Sequence, residues 1–225
     1  MPRHPWQSLA LVAVLSAVAP AVLTGQELTA STETVEVPAE LAEPIRALLQ
    51  PQTSVVMRDG NRIEIWWVKA IALESAPQGA PSWSNAPDGA LVGAMRLAQP
   101  LTDARGFTIK PGVYTLRFAL QPQDGNHLGT AEFSYFAVLT PAKLDTKPDG
   151  IADYKALVKA SSKETSTDHP VILSLRPAGA EAGDAPTLQE PASEHKSIRL
   201  KVPAKAGGEK TSLSFEVVYE GKGHK

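Results

Sequence analysis

The 225-residue sequence contains no cysteine. Disulfide bonds, thiolate catalysis and cysteine-based metal sites are therefore excluded, and the hydrophobic core alone must hold the fold together. The chain also lacks a basic surplus, because 22 Lys and Arg face 24 Asp and Glu, a net charge of −2. We expect no nucleic-acid partner, since binding of nucleic acid needs cationic side chains to neutralise phosphates.

Two common catalytic signatures are missing as well. The sequence has neither the G-x-S-x-G pattern of serine hydrolases nor the H-E-x-x-H pattern of zinc proteases. It also has no internal repeat. We therefore favour a non-catalytic protein over an enzyme.

The N-terminus is organised like a secretory signal peptide. Arg3 gives it a basic start, residues 9–18 form an apolar run, and residues 19–21 (Ala-Pro-Ala) match a cleavage motif of small residues. The apolar run is short for a membrane-spanning helix of roughly 20 residues. We predict that residues 1–25 are a removed signal peptide, that the protein is periplasmic or extracellular, and that no stable membrane span remains after cleavage.

Strand-like segments dominate the rest of the chain. The clearest covers residues 113–120 and follows a Pro-Gly turn, in which proline presets φ and glycine accepts a positive φ. Its alternating residues form one apolar face. We expect this face to share one core with two residues of the C-terminal strand. The predicted core residues are Tyr114, Leu116, Phe118, Leu120, Phe215 and Val217.

The spacing of strands and turns predicts the fold class. Residues 55–68 contain an Asp-Gly turn and are typical of a β-hairpin, and Asp149 is placed to cap a helix over residues 151–160. Many short strands between Gly and Pro turns indicate an all-β protein. We predict a single antiparallel β-sandwich domain over residues 26–225, with one or two short helices. Residues 175–195 are predicted to be a flexible loop. If the domain consists of two parts, the boundary between them is expected in this loop.

The polar loop after the long strand is the main candidate site. Asp124, Asn126 and His127 bring together a carboxylate, an amide and an imidazole. Such a loop can bind a ligand, but its composition is also typical of a plain turn. If the strand that begins at His169 approaches the loop, then His127, His169 and Asp124 can bind a divalent metal. A metal-dependent enzyme or metal carrier is therefore the alternative to a binding loop that requires no cofactor.

Tryptophan residues are the second group of candidate ligand-binding residues. Trp66 and Trp67 are adjacent on a strand, so they cannot both enter one core. Ile63 and Ile65 share the face of Trp67, which leaves Trp66 as an accessible ligand-binding candidate. Trp83 lies in a long polar loop and either binds a ligand or packs the loop onto the sandwich. Because exposed aromatic rings stack on sugars and anchor proteins, we expect a carbohydrate or another envelope protein as partner.

Two segments carry a resemblance to a known family. Residues 106–117 (G-x-x-I-x-P-G-x-Y-T-L-R) and residues 121–127 (Q-P-x-D-G-N-H) resemble a family of uncharacterised secreted bacterial proteins that are rich in β-strands. The resemblance implies an exported location and a β-rich fold, but no catalytic residues. Together these features predict an exported β-sandwich that acts as a non-catalytic binding or envelope-associated module. A third interpretation is an accessory domain that contacts envelope proteins through Trp83.

Overall fold

The computed structural model describes Met1 and residues 28–74, 81–121, 134–149, 151, 153–165, 167–178, 182–189 and 195–221. Within these ranges the chain forms thirteen strands, two α-helices and three 3₁₀ helices. The strands are β1 (Thr29–Thr34), β2 (Leu49–Arg58), β3 (Asn61–Val68), β4 (Ile71–Leu73), β5 (Leu91–Leu97), β6 (Leu101–Thr102), β7 (Thr108–Ile109), β8 (Gly112–Leu120), β9 (Tyr135–Pro141), β10 (Ile172–Pro177), β11 (Thr187–Gln189), β12 (Lys196–Ala206) and β13 (Glu209–Glu220). The α-helices are α1 (Glu43–Arg46) and α2 (Tyr154–Ser161), and the 3₁₀ helices are Trp83–Asn85, Ala142–Leu144 and Ser162–Glu164. The predicted all-β class with short helices is confirmed.

Eleven of the strands form one curled sheet. Its order is β1-β2-β3-β5-β8-β9-β10-β13-β12-β11, and β4 pairs in parallel with β12. The strands β1 and β11 at the two ends of this order contact each other, so the sheet curls around its inner face. The strands β6 and β7 form a separate two-stranded sheet. No helix among the described residues is long and apolar enough to span a membrane.

Two tight turns set the register of the long hairpins. Between β2 and β3, Asp59 and Gly60 have φ values of 47° and 79°. Between β12 and β13, Gly207 and Gly208 have φ values of 55° and 93°. Two-residue turns with positive φ at both positions match the twist of the flanking strands. The predicted hairpin over residues 55–68 is therefore confirmed, although its first strand already begins at Leu49.

The core prediction is correct at five of its six positions. Tyr114, Leu116, Phe118, Phe215 and Val217 are buried in one hydrophobic cluster on the inner face of the sheet. The prediction was wrong for Leu120, which is 41% exposed. Leu120 is the last residue of β8, so the strand extends beyond the layer that covers its neighbours.

The outer face of the sheet is covered as well. Helix α2 and the segment before it cover β8, β9 and β10, and the resulting second cluster contains Ala119, Phe136, Val138, Leu157 and Ile172. The helix prediction needs a correction: α2 begins at Tyr154 and is capped by Asp153, whose carboxylate accepts hydrogen bonds from two backbone N–H groups. Asp149 lies too far before Tyr154 to cap the helix, and its carbonyl oxygen instead accepts a hydrogen bond from Arg117. Within the predicted loop 175–195, β11 pairs with β12.

Candidate functional site

The histidine-containing candidate site is only partly described. Asp124, Asn126 and His127 lie outside the described residues, so their binding and metal roles stay predictions. His169 is exposed, and its ring stacks on Phe107 at 5.2 Å between centroids. The described part of the chain brings together no group of three His, Asp or Glu residues that could hold a metal ion.

Trp66 is buried, contrary to the expectation that its ring is accessible. Its indole N–H donates a hydrogen bond to the carbonyl oxygen of Val35 at 3.1 Å. The guanidinium carbon of Arg96 lies 5.4 Å from the centroid of its ring. The alternation rule failed here because the chain after β1 packs over the outer face of β3, which buries both faces of this strand.

Trp83 packs its loop onto the core, which is the second of its two interpretations. Its ring stacks on Phe118 with a centroid distance of 5.5 Å and an interplanar angle of 11°. It also meets the edge of Phe215 at 4.8 Å. The residue is buried, so its ring offers no exposed stacking surface to a sugar.

A surface cleft of about 330 Å³ lies where β8 begins and β9 ends. Sites for small molecules usually have roughly 300–1,000 Å³, so the cleft is at the lower end of this range. Separate segments of the chain line it, and the side chains used below are Glu40, Pro111, Val113, Tyr114, Pro141, Lys143 and Glu164. We call it the Tyr114 cleft. These positions are far apart in sequence, so no local motif points to them.

The lining of the Tyr114 cleft is rich in hydrogen-bond acceptors. The Tyr114 hydroxyl donates its hydrogen to the carbonyl oxygen of Lys110 at 2.7 Å, which leaves its oxygen as an acceptor. Burial, with a smaller contribution from the Glu164 carboxylate, raises the pKa of Tyr114 to about 12. Glu40 is exposed and has no ion-pair partner among the described residues. The cationic residue in the lining is Lys143, and its Nζ lies 3.8 Å from a Glu164 oxygen.

A buried ion pair fixes one wall of the cleft. The guanidinium of Arg117 donates to both carboxylate oxygens of Asp145, at 2.7 and 2.8 Å, and both side chains are buried. Its remaining N–H groups donate to the carbonyl oxygens of Gly89 and of residues 147–149. Thr115 donates a hydrogen bond to the same carboxylate. Asp145 directly follows the 3₁₀ helix that carries Lys143, so this Arg117 cluster holds that wall in place.

A second charged group lies on the same face of the sheet. The buried carboxylate of Glu64 accepts one hydrogen bond from Arg62 at 2.8 Å and another from Arg96 at 2.5 Å. Arg62 also donates to Glu33 on β1 at 2.7 Å, and this hydrogen bond holds the pKa of Glu33 below its usual value. Both arginines are half-buried. This Glu64 cluster ties β1, β3 and β5 together.

Another depression, of about 290 Å³, runs along α2. Its lining comes mainly from one face of that helix and includes Tyr154, Lys155, Val158 and Lys159. It differs from the Tyr114 cleft in charge, because two lysines and one carboxylate, Asp168, line it, whereas two carboxylates and one lysine line the cleft. It provides a natural comparison site for binding experiments.

Comparisons with protein-family models, with curated proteins and with solved structures found no match to this chain. The resemblance to secreted bacterial proteins therefore stays a prediction. Support for a function therefore comes from the sequence pattern and from the geometry of the described residues.

Proposed function

We propose that the protein is an exported, non-catalytic binding module of the cell envelope and that the Tyr114 cleft receives its ligand. The observation that carries this proposal is the cleft itself, in which apolar walls surround acceptors that the fold leaves available. The partners expected from the sequence, a carbohydrate or an envelope protein, both present donor groups beside apolar surface. Either can supply the group that enters the cleft.

Rigid support for the cleft is the second argument. Tyr114 and Val113 belong to β8, which is paired along its length with β5 and β9. The buried Arg117 cluster holds the wall that carries Lys143 in place. Binding sites on regular elements that packing holds in place lose less conformational freedom when a ligand binds.

Export is supported by the N-terminal sequence pattern of a basic start, an apolar run and small residues. Mass spectrometry of the native protein tests it, and the expected N-terminus lies near Val22 or Gln26. Intact Met1 on protein from the cytosolic fraction would contradict export. This result leaves the cleft unaffected, so the two parts of the proposal are tested separately.

Ligand binding is tested with a fragment library that contains cationic, neutral and anionic compounds, screened by ligand-observed NMR. Val113→Phe places a larger side chain at the cleft wall and should remove the binding signals. Val158→Phe makes the same change in the depression along α2 and should leave them intact. If Val158→Phe removes the signals and Val113→Phe does not, the cleft is not the binding site.

A further inference from the structure

We infer that the Tyr114 cleft selects a guanidinium or alkylammonium group attached to a short apolar chain. This inference rests on the proposed function and adds the chemical class of the ligand. It starts from a count of the polar groups that face the cleft. Glu40 and Glu164 contribute carboxylates, and Tyr114 contributes a hydroxyl oxygen whose hydrogen is already bonded to Lys110.

The position of Lys143 shows what these acceptors attract. This lysine is itself an alkylammonium group, and its Nζ lies 3.8 Å from a Glu164 oxygen. The distance is at the outer limit for an ion pair, and 75% of the lysine side chain is exposed, whereas the Glu164 side chain is only 19% exposed. Because this contact is long and its lysine end is exposed, the ion pair contributes little, and a ligand can displace this lysine easily.

A ligand cation would gain more than Lys143 does. A guanidinium group has five N–H donors in a plane, and it can therefore reach more than one acceptor at the same time. Its hydrogen bonds to carboxylates are charge-assisted, and such bonds are stronger than those between neutral groups. The walls formed by Pro111, Val113 and Pro141 are apolar and suit a short alkyl chain.

The negative charge of the lining disfavours anions. Two carboxylates and one ammonium leave the cleft with one excess negative charge. A carboxylate or phosphate ligand would have to approach Glu40 and Glu164, and only one cation among the lining residues, Lys143, could offset their repulsion. The cleft should therefore discriminate by charge, whereas the lysine-lined depression along α2 should not favour cations.

The experiment compares two probes of the same shape, n-butylguanidinium and the neutral n-butylurea, by NMR titration of the full mature chain at low salt. The cation should bind at least about tenfold more tightly, because the urea offers no charge-assisted hydrogen bond. The cationic group can come from an arginine of a partner protein or from a small molecule, and a capped Ala-Arg-Ala peptide distinguishes these two sources. Binding equal to or tighter than that of the free cation points to a partner protein, and failure to bind points to a small molecule.

Three variants test both the direction and the size of the expected changes in affinity for the cation. Glu164→Gln should weaken n-butylguanidinium about tenfold, and Glu40→Gln about threefold. Lys143→Gln should tighten it about threefold, because it removes the competing ammonium. Glu209→Gln removes an exposed carboxylate at the β12–β13 turn and should change nothing. Each variant is first checked for an unchanged unfolding midpoint.

The outcomes separate this inference from the proposed function. If n-butylurea binds as tightly as the cation, or if Lys143→Gln weakens the cation, then the selection for cations is wrong while the cleft remains a binding site. If compounds of every charge fail to perturb the cleft, both statements are wrong.

Discussion

The Arg117 cluster and the Glu64 cluster lie on the same face of the sheet, and both contain a buried charge. In the first, the charge is an arginine whose partner Asp145 is buried with it. In the second, the charge is a carboxylate between two arginines that still reach solvent. The first cluster fixes a loop that lacks regular structure, whereas the second joins strands that are already paired.

This difference predicts different costs of disruption. Removing one partner of a fully buried pair leaves an uncompensated charge in a medium of low polarity. Arginines that reach solvent can be hydrated when their carboxylate is lost, so the cost is smaller. The Arg117 cluster should therefore matter for both stability and the cleft wall, and the Glu64 cluster mainly for stability.

Asp145→Ala should have the largest effect. It leaves Arg117 buried without a counter-ion, which should lower the free energy of unfolding by about 3–5 kcal/mol. Chemical denaturation measures this. The double variant Arg117→Leu with Asp145→Ala is the control, since it should recover part of the loss. An Asp145→Ala variant that unfolds at the wild-type urea concentration would show that this pair does not hold the loop.

Glu64→Gln should cost less, about 1–2 kcal/mol, because an amide keeps one hydrogen bond and the two arginines turn to water. It should also leave the amide signals of the cleft wall around Lys143 unchanged, in contrast to Asp145→Ala. Chemical denaturation and ¹H–¹⁵N spectra of both variants check these two points. A loss equal to that of Asp145→Ala would remove the distinction between the clusters.

Two buried tyrosines differ in whether their hydroxyl groups are hydrogen-bonded. Burial raises the pKa values of Tyr114 and Tyr219 to about 12, so the stability that each contributes is present below pH 10 and is lost as the pH rises from 10 to 12. Replacing either residue by Phe should make this loss of stability less steep.

At pH 7 the two variants should differ. Only Tyr114→Phe should lower the free energy of unfolding by about 1 kcal/mol, because the Tyr114 hydroxyl donates a hydrogen bond to Lys110, whereas the Tyr219 hydroxyl has no partner among the described residues. Equal costs at pH 7 would contradict the role of this hydrogen bond.

Glu33→Gln should have the smallest effect. Its hydrogen bond from Arg62 lowers the pKa of Glu33, so the stabilisation is present above the ordinary pKa and disappears as the pH falls through the lowered one. Because the pair is partly exposed, the contribution should be less than about 0.5 kcal/mol. The unfolding midpoints at pH 7 and pH 3 should differ slightly less in the variant than in the wild type. A larger difference in the variant would contradict this prediction.

The strand over residues 113–120 shows both the reach and the limit of sequence reasoning. Alternation correctly placed Tyr114, Leu116 and Phe118 in the core, because local pattern determines which face a residue joins. It gave no sign that Arg117 is fully buried, since Asp145 and the carbonyl groups that bind it come from distant segments. A lone arginine between apolar residues of a regular strand is nevertheless a signal that could have been followed.

The site was harder to predict than the fold for the same reason. The Tyr114 cleft depends on Glu40, Lys143 and Glu164, which only tertiary packing brings near β8. The tryptophan prediction failed because alternation tells two faces apart but not whether a later segment covers the second face, as occurs over Trp66. Compact polar motifs such as residues 124–127 attract attention in a sequence because their members are adjacent, whereas this cleft has no such signature.

The most direct test is an ¹H–¹⁵N NMR titration of the mature protein with n-butylguanidinium, followed residue by residue. We predict that the largest chemical-shift changes occur at Gly112, Val113 and Lys143, and that Gly208 in the β12–β13 turn, which does not line the cleft, does not respond. In Asp145→Ala the response at Lys143 should be lost, because the wall is no longer held. Largest changes along α2, or a wild-type response at Lys143 in Asp145→Ala, would contradict the account.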